Sequence, residues 1–96
     1  MRVEFHPDAE QDIANAQQWY AERSAIAARA FLTELMASVD TVAQSPARWP
    51  RHLAGTRRYV FAKFPFSLVY RVTDELLTVV AVTHHRRKPG YWSERH

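Results

Sequence analysis

The sequence predicts an α+β fold of the order β-α-α-β-β-β, in which a helical hairpin packs on one face of a small, mainly antiparallel four-stranded sheet. Two observations lead to this prediction. Apolar residues recur with the helical period in the first half of the chain and with the strand period in the second half. A loop with two prolines and a glycine, residues 45–56, separates the halves. Because 96 residues leave room for one core only, we expect a single domain over 1–96.

The first strand and the first helix are predicted from the residues on either side of Pro7. Residues 2–6 alternate between polar and apolar side chains, which is typical of a half-buried strand. Pro7 ends the strand and is well tolerated at the first position of a helix. Carboxylates at Asp8, Glu10 and Asp12 would stabilise the positive end of the helix dipole. The inward face of this helix is expected to be formed by Ala9, Ile13, Ala16 and Tyr20.

The second helix is predicted to begin after Ser24, a good N-cap residue, and to end before Pro46. Its apolar side chains recur at helical spacing: Ala28, Phe31, Leu32, Leu35, Val39 and Val42. Because the connection between the two helices is short, they should form an antiparallel hairpin with a joint apolar face. Such a face needs a sheet to cover it.

Three further strands are predicted over 57–61, 66–72 and 76–83. In the middle one, alternation places one set of side chains toward the helices and the other set on the opposite face. The first set is Phe66, Leu68, Tyr70 and Val72, and the second is Ser67, Val69 and Arg71. The last strand is apolar on both sides, so we expect it inside the sheet and not at an edge.

The second face of the sheet is expected to be open, polar and cationic, since two helices cover only one face. Residues 46–96 carry ten basic against three acidic residues, a net charge of +7, whereas residues 1–45 have a net charge of −4. The side chains expected on this face are Arg71, one of Arg57 and Arg58, Glu4 with His6, and His84 or His85. Arginines with a histidine and a carboxylate suit cleavage of a phosphodiester by acid–base catalysis. The alternative is that these are solvated surface residues.

The tail, residues 84–96, interleaves basic and aromatic side chains. Arg86, Arg87 and Lys88 can contact phosphates or an acidic peptide, and exposed Tyr91 and Trp92 can stack on unpaired bases. Alternatively the two aromatic side chains fold back on the core, which we favour for Trp92.

Several classes of function are not expected. Two glycines are too few for a phosphate-binding loop or a dinucleotide fingerprint, and the absence of cysteine excludes thiolate sites. Neighbouring histidines on a strand point to opposite faces, so His84 and His85 should not share a metal ion. We therefore expect no cofactor and no metal. No apolar run approaches the length that spans a bilayer, so a soluble cytoplasmic protein without membrane contact is expected.

The chain resembles toxins of the RelE/ParE superfamily, the toxin half of bacterial type II toxin–antitoxin modules, often called plasmid stabilisation proteins. The residues that carry the resemblance are Phe5-His6-Pro7, Ala9, Asp12-Ile13, Trp19-Tyr20, Phe31, Pro46, Trp49-Pro50, Arg57-Arg58, Phe64-Pro65-Phe66, Val69-Tyr70-Arg71, His84 to Arg87 and Tyr91-Trp92. The resemblance implies the element order derived above and a cognate antitoxin that neutralises the toxin.

The resemblance leaves two activities open. RelE-like toxins cut messenger RNA in the ribosome, and ParE-like toxins inhibit DNA gyrase without catalytic groups. For RNA cleavage the resemblance implies Arg71, His85 and Tyr91 as catalytic residues, with Arg57 or Arg58 holding a phosphate. Ribosome-dependent RNA cleavage is our first hypothesis, and gyrase inhibition is the second. A third, from a different class, is a basic module that binds nucleic acid or protein without catalysis.

Overall fold

The computed structural model describes all residues from 1 to 96 and contains two helices and one sheet. The elements are β1 (Arg2–Phe5), α1 (Pro7–Ala21), α2 (Ala25–Gln44), β2 (Arg57–Val60), β3 (Phe66–Thr73) and β4 (Leu76–His84), with a short 3₁₀ turn at Leu53–Gly55. The predicted order β-α-α-β-β-β is therefore confirmed. Neither helix combines the length and the apolar character that crossing a membrane would need.

The helices begin at side chains that satisfy the free backbone N–H groups of a first turn. Pro7 is the first residue of α1, and Nδ1 of His6 accepts a hydrogen bond from the backbone N–H of Asp8 at 3.0 Å. Ser24 caps α2 as predicted, because its Oγ accepts a hydrogen bond from the backbone N–H of Ala27 at 3.1 Å.

The sheet has the strand order β1-β4-β3-β2. The pair β1–β4 is parallel and the other two pairs are antiparallel. The prediction that the last strand lies inside the sheet is confirmed, since β4 has a neighbour on each side. A bulge lies opposite the Val69–Tyr70 step, where the partners of these two residues on β4 change from Ala81 to Val79. Val80 is thereby left without a partner on β3.

The main core lies between the helices and the first face of the sheet. It is formed by buried side chains of both helices, of β3 and β4 and of Phe61, together with flanking aromatic residues, and its largest members include Phe31, Leu35, Leu68, Tyr70 and Leu77. Two residues expected in this core lie at the surface instead, Leu32 at 38% and Val72 at 40% exposure. Leu32 directly follows the buried Phe31, so it points about 100° away on the helix. Tyr70 is the last residue of β3 in the core.

The second face of the sheet is not fully open, which corrects the expectation from the sequence. Trp92 folds back from the tail and is only 1% exposed, packed on Val69, Val80 and Ala81. The bulge is the physical reason, because it brings the side chains of Val80 and Ala81 into the same apolar patch. Burial of a tryptophan over this patch is worth several kcal/mol, about 25 cal/mol for each Å² removed from water.

Candidate functional site

The tail is fastened to the body of the protein by Arg95. Its Nη1 donates to Oδ2 of Asp12 at 2.7 Å and to the carbonyl oxygen of Val80 at 3.1 Å. The Arg95 and Asp12 side chains are 14% and 12% exposed. Burial alone lowers the pKa of Arg95, but the hydrogen bond and the charge of Asp12 outweigh it, so the pKa lies above its ordinary value.

This ion pair occupies a gap in the sheet. β1 pairs only with Leu76 to Val79, which leaves the second half of β4 without a neighbouring strand on that side. Oδ2 of Asp12 accepts a hydrogen bond from the backbone N–H of Val82 at 3.1 Å, and Arg95 donates to the carbonyl of Val80. The main role of Asp12 is therefore to bind the unpaired edge of β4. The sequence suggested instead that it stabilises the dipole of α1.

Arg71 lies on the second face, where it was predicted, but its side chain is engaged by the tail. Nη2 donates to the carbonyl oxygen of Arg95 at 2.8 Å, and the buried Nε has no partner. Arg71 and Arg57 line the same cavity of about 240 Å³ at the end of the sheet near Pro46.

The two neighbouring arginines of β2 point in opposite directions. Nη1 of Arg57 donates to the carbonyl oxygen of Trp49 at 2.7 Å, so this guanidinium braces the loop before β2. Nε of Arg58 donates to Oγ of Ser67 at 2.9 Å. Arg58 is therefore the arginine that shares the second face with Ser67.

The two histidines at the end of β4 also separate. His85 is exposed, and its Nε2 lies 3.0 Å from Oγ of Ser67 on the second face. The ring of His84 packs edge-on against Phe66, with the centroids 5.0 Å apart. Burial, followed by the charges of Arg86 and His85, lowers the pKa of His84. Facing opposite sides of the sheet, the two imidazoles do not converge on one ion.

His52 lies at the second face, although no periodic pattern in the sequence predicts this position. It lies in the loop before β2, and its ring centroid is 5.5 Å from that of Trp92. Burial, followed by the positive charge of Arg58, lowers the pKa of His52. Only tertiary folding brings this loop residue to the sheet.

Two basic residues and one aromatic residue of the tail, Arg86, Arg87 and Tyr91, help to line a larger cavity between α1 and β4. This α1–β4 cavity has a volume of about 580 Å³, and the side chains around it include Trp19, Tyr20, Phe66, Arg86, Arg87 and Tyr91. The guanidinium carbon of Arg87 lies 3.9 Å from the Tyr91 ring centroid. Lys88, the residue after Arg87, is also exposed. The predicted pair of tail aromatics is thus divided, with Tyr91 at this cavity and Trp92 in the apolar patch.

The structure brings together some of the predicted site residues and separates others. Arg58 and His85 meet through Ser67, a residue that the sequence did not single out. Arg71 contacts the backbone of Arg95, and Tyr91 contacts Arg87. These contacts do not join any two of the three predicted catalytic side chains directly, although Arg71 and Tyr91 both contact Arg95. We call Arg58, Ser67 and His85 the Ser67 cluster.

Comparisons with known proteins identify a family from the sequence and a similar fold among solved structures. A family model described as the ParE toxin of the type II toxin–antitoxin system parDE matches residues 3–89. A solved structure described as the chromosomal ParDE TA system from P. aeruginosa has a similar fold, with a TM-score of 0.77 and 17% sequence identity over 88% of this chain and 95% of that chain. No curated protein sequence matches the chain. The family match ends before Trp92 and Arg95, so the fastened end of the tail lies beyond it.

Proposed function

Since the chain belongs to the family of ParE toxins of type II toxin–antitoxin systems, we propose that it arrests growth by inhibiting DNA gyrase. Membership of this family implies a cognate antitoxin as partner. Gyrase inhibition requires a binding surface and no assembled catalytic site. The chain offers such a surface in its basic half.

The observation that carries the proposal is that Arg71, His85 and Tyr91 make their contacts with other residues and not with one another, although Arg71 and Tyr91 both contact Arg95. Cleavage of RNA needs a base, an acid and a cation around one scissile phosphate. Here Nη2 of Arg71 donates to the carbonyl oxygen of Arg95, and the Tyr91 ring makes a cation–π contact with Arg87. Trp92 also fills the centre of the face on which the RNA would lie. These contacts favour inhibition by binding over catalysis.

The surface that we assign to gyrase binding is the rim of the α1–β4 cavity. Arg86 and Arg87 line this cavity and are exposed, Lys88 follows them in the chain and is also exposed, and none of the three has an acidic partner. The cavity offers aromatic side chains beneath them, which is typical of protein interaction sites. Binding of an acidic antitoxin over the same rim would neutralise the toxin by direct competition. In a complex with the antitoxin, Arg87 and Lys88 should consequently be covered.

Ribosome-dependent cleavage of messenger RNA is the second candidate, and the Ser67 cluster favours it. A guanidinium and an exposed imidazole are joined there through one hydroxyl. Such a pair can hold a phosphate and transfer a proton.

Purified gyrase distinguishes the two candidates. Under the proposal, the protein inhibits supercoiling and traps double-strand breaks, and its expression in cells induces the SOS response. Replacing both Arg86 and Arg87 by glutamate should abolish inhibition, whereas the matched charge reversal Arg29→Glu on the exposed side of α2 should not. His85→Ala should keep full inhibition.

The opposite pattern overturns the proposal. Normal supercoiling in excess toxin, with codon-linked breaks on primer extension that disappear in His85→Ala, would establish RNA cleavage instead. If expression of the chain causes no growth arrest, the result would support the third hypothesis, a basic module that binds nucleic acid or protein without catalysis.

A further inference from the structure

The hydrogen bonds of the Ser67 cluster fix the orientation of two basic side chains, Arg58 and His85. Ser67 is fully buried and lies between Nε of Arg58 at 2.9 Å and Nε2 of His85 at 3.0 Å. The backbone N–H of His85 also donates to the carbonyl oxygen of Pro65 at 2.9 Å. Both the main chain and the ring of His85 are therefore held in place, although the residue is exposed.

The protons of the cluster can be assigned from its chemistry. Nε of Arg58 always carries a hydrogen, so Oγ of Ser67 accepts from it. The buried hydroxyl of Ser67 has no acceptor other than Nε2 of His85, so donation to a neutral His85, with the ring hydrogen on Nδ1, is the arrangement that leaves no donor unpaired. In the protonated imidazole, Nε2–H donates to Ser67 and Nδ1–H remains. In both states Nδ1 of His85 presents a donor on the ring edge away from Ser67.

The terminal nitrogens of Arg58 add further donors. They have no hydrogen-bond or ion-pair partner in the protein, and they are not among its buried unpaired nitrogens, so they reach solvent. The positive charge of Arg58 also contributes to the lowered pKa of His52. The surface at the cluster thus combines several N–H donors with a positive charge, and no carboxylate is paired with Arg58.

We propose that the Ser67 cluster is a binding site for a phosphate monoester. The guanidinium fork of Arg58 and the Nδ1–H of His85 would donate to the phosphate oxygens, and Ser67 would orient both side chains. Trp92, which packs on Val69, the strand partner of Arg58, is buried and cannot stack on a base. This favours recognition of the phosphate group itself. The site is independent of whether gyrase is the target.

The experiment is a titration of the purified protein, followed by ¹⁵N-detected NMR of the histidine rings at constant ionic strength. The probes are inorganic phosphate, AMP, a short single-stranded oligonucleotide and acetate. We expect saturable shifts of the His85 ring with phosphate and AMP only. Arg58→Gln should weaken this binding about tenfold or more, because charge-assisted hydrogen bonds are lost. Arg29→Gln, the matched change at an exposed site on α2, should leave it unchanged.

The ring resonances give a second, independent readout. The neutral His85 ring should be mainly the Nδ1–H form in the wild type, and Ser67→Ala should remove this preference while the amide spectrum shows an intact fold. Shifts that do not saturate, equal shifts with acetate, or undiminished binding in Arg58→Gln would overturn the proposal. Saturation by the oligonucleotide but not by phosphate or AMP would also overturn it and assign the site to nucleic acid.

Discussion

Replacing Trp92 by alanine should destabilise the protein by about 3–5 kcal/mol, the range found when a buried large aromatic side chain is truncated. Its side chain is 1% exposed and covers an apolar patch formed by Val69, Val80 and Ala81. An aromatic side chain of this size buries about 200 Å², which corresponds to about 5 kcal/mol at 25 cal/mol per Å². The value is an upper bound because the freed tail regains conformational entropy.

A matched control comes from Trp19, which is 51% exposed on α1. Trp19→Ala makes the same chemical change at a half-exposed site, so by the same area argument it should cost about half as much as Trp92→Ala. Urea unfolding at equilibrium measures both variants. With about 3 kcal/mol lost, the Tm of Trp92→Ala should fall by roughly 12–24 °C, given the 4–8 °C per kcal/mol typical of a domain this size. Equal destabilisation by the two substitutions would refute the assignment of Trp92 to a second core.

Three further outcomes are expected, each measured by the urea midpoint. Asp12→Ala should lower the free energy of unfolding by about 1–3 kcal/mol, less than the loss of a fully buried ion pair would. Glu10→Ala, on the exposed side of α1, should change the free energy of unfolding little. Equal effects of the two substitutions would contradict the role of Asp12 at the edge of β4. Ser24→Ala should cost about 1 kcal/mol by removing the cap of α2, and no change would mean that the cap is dispensable. The lowered pKa values of His52 and His84 mean that the unfolded chain binds more protons below the ordinary value of 6.5. Stability should therefore be full above that pH and fall below it, and the fall should be smaller in His52→Gln; an equal fall would exclude His52 as a contributor.

Periodicity along the chain predicts the elements of this fold because each depends on neighbouring residues. Ser24 caps α2 through a contact three residues away, and Pro7 starts α1 by its own geometry. The doubly apolar pattern of β4 places it inside the sheet since both of its faces are covered. In each case the decisive interaction is local or repeats along one element.

The contacts that shape the candidate site are long-range, so pattern reasoning does not find them. Asp12 and Arg95 are 83 residues apart, and the bulge that creates the patch under Trp92 has no marker such as glycine. Ser67 looked like an ordinary outward residue of a strand, although it joins Arg58 to His85. The alternation of side chains along β3 predicts the correct face for Arg71. It does not show that the guanidinium of Arg71 donates to the carbonyl oxygen of Arg95.

The half of β4 that extends past β1 also bears on how the protein behaves at high concentration. A bare strand edge is a template on which another chain can add a strand and start an aggregate. Asp12 and Arg95 occupy the Val82 N–H and the Val80 carbonyl with charged side chains, which cannot propagate a β-ladder. The same pair that fastens the tail therefore protects the molecule against self-association, and variants that lose it should aggregate at lower protein concentrations than the wild type.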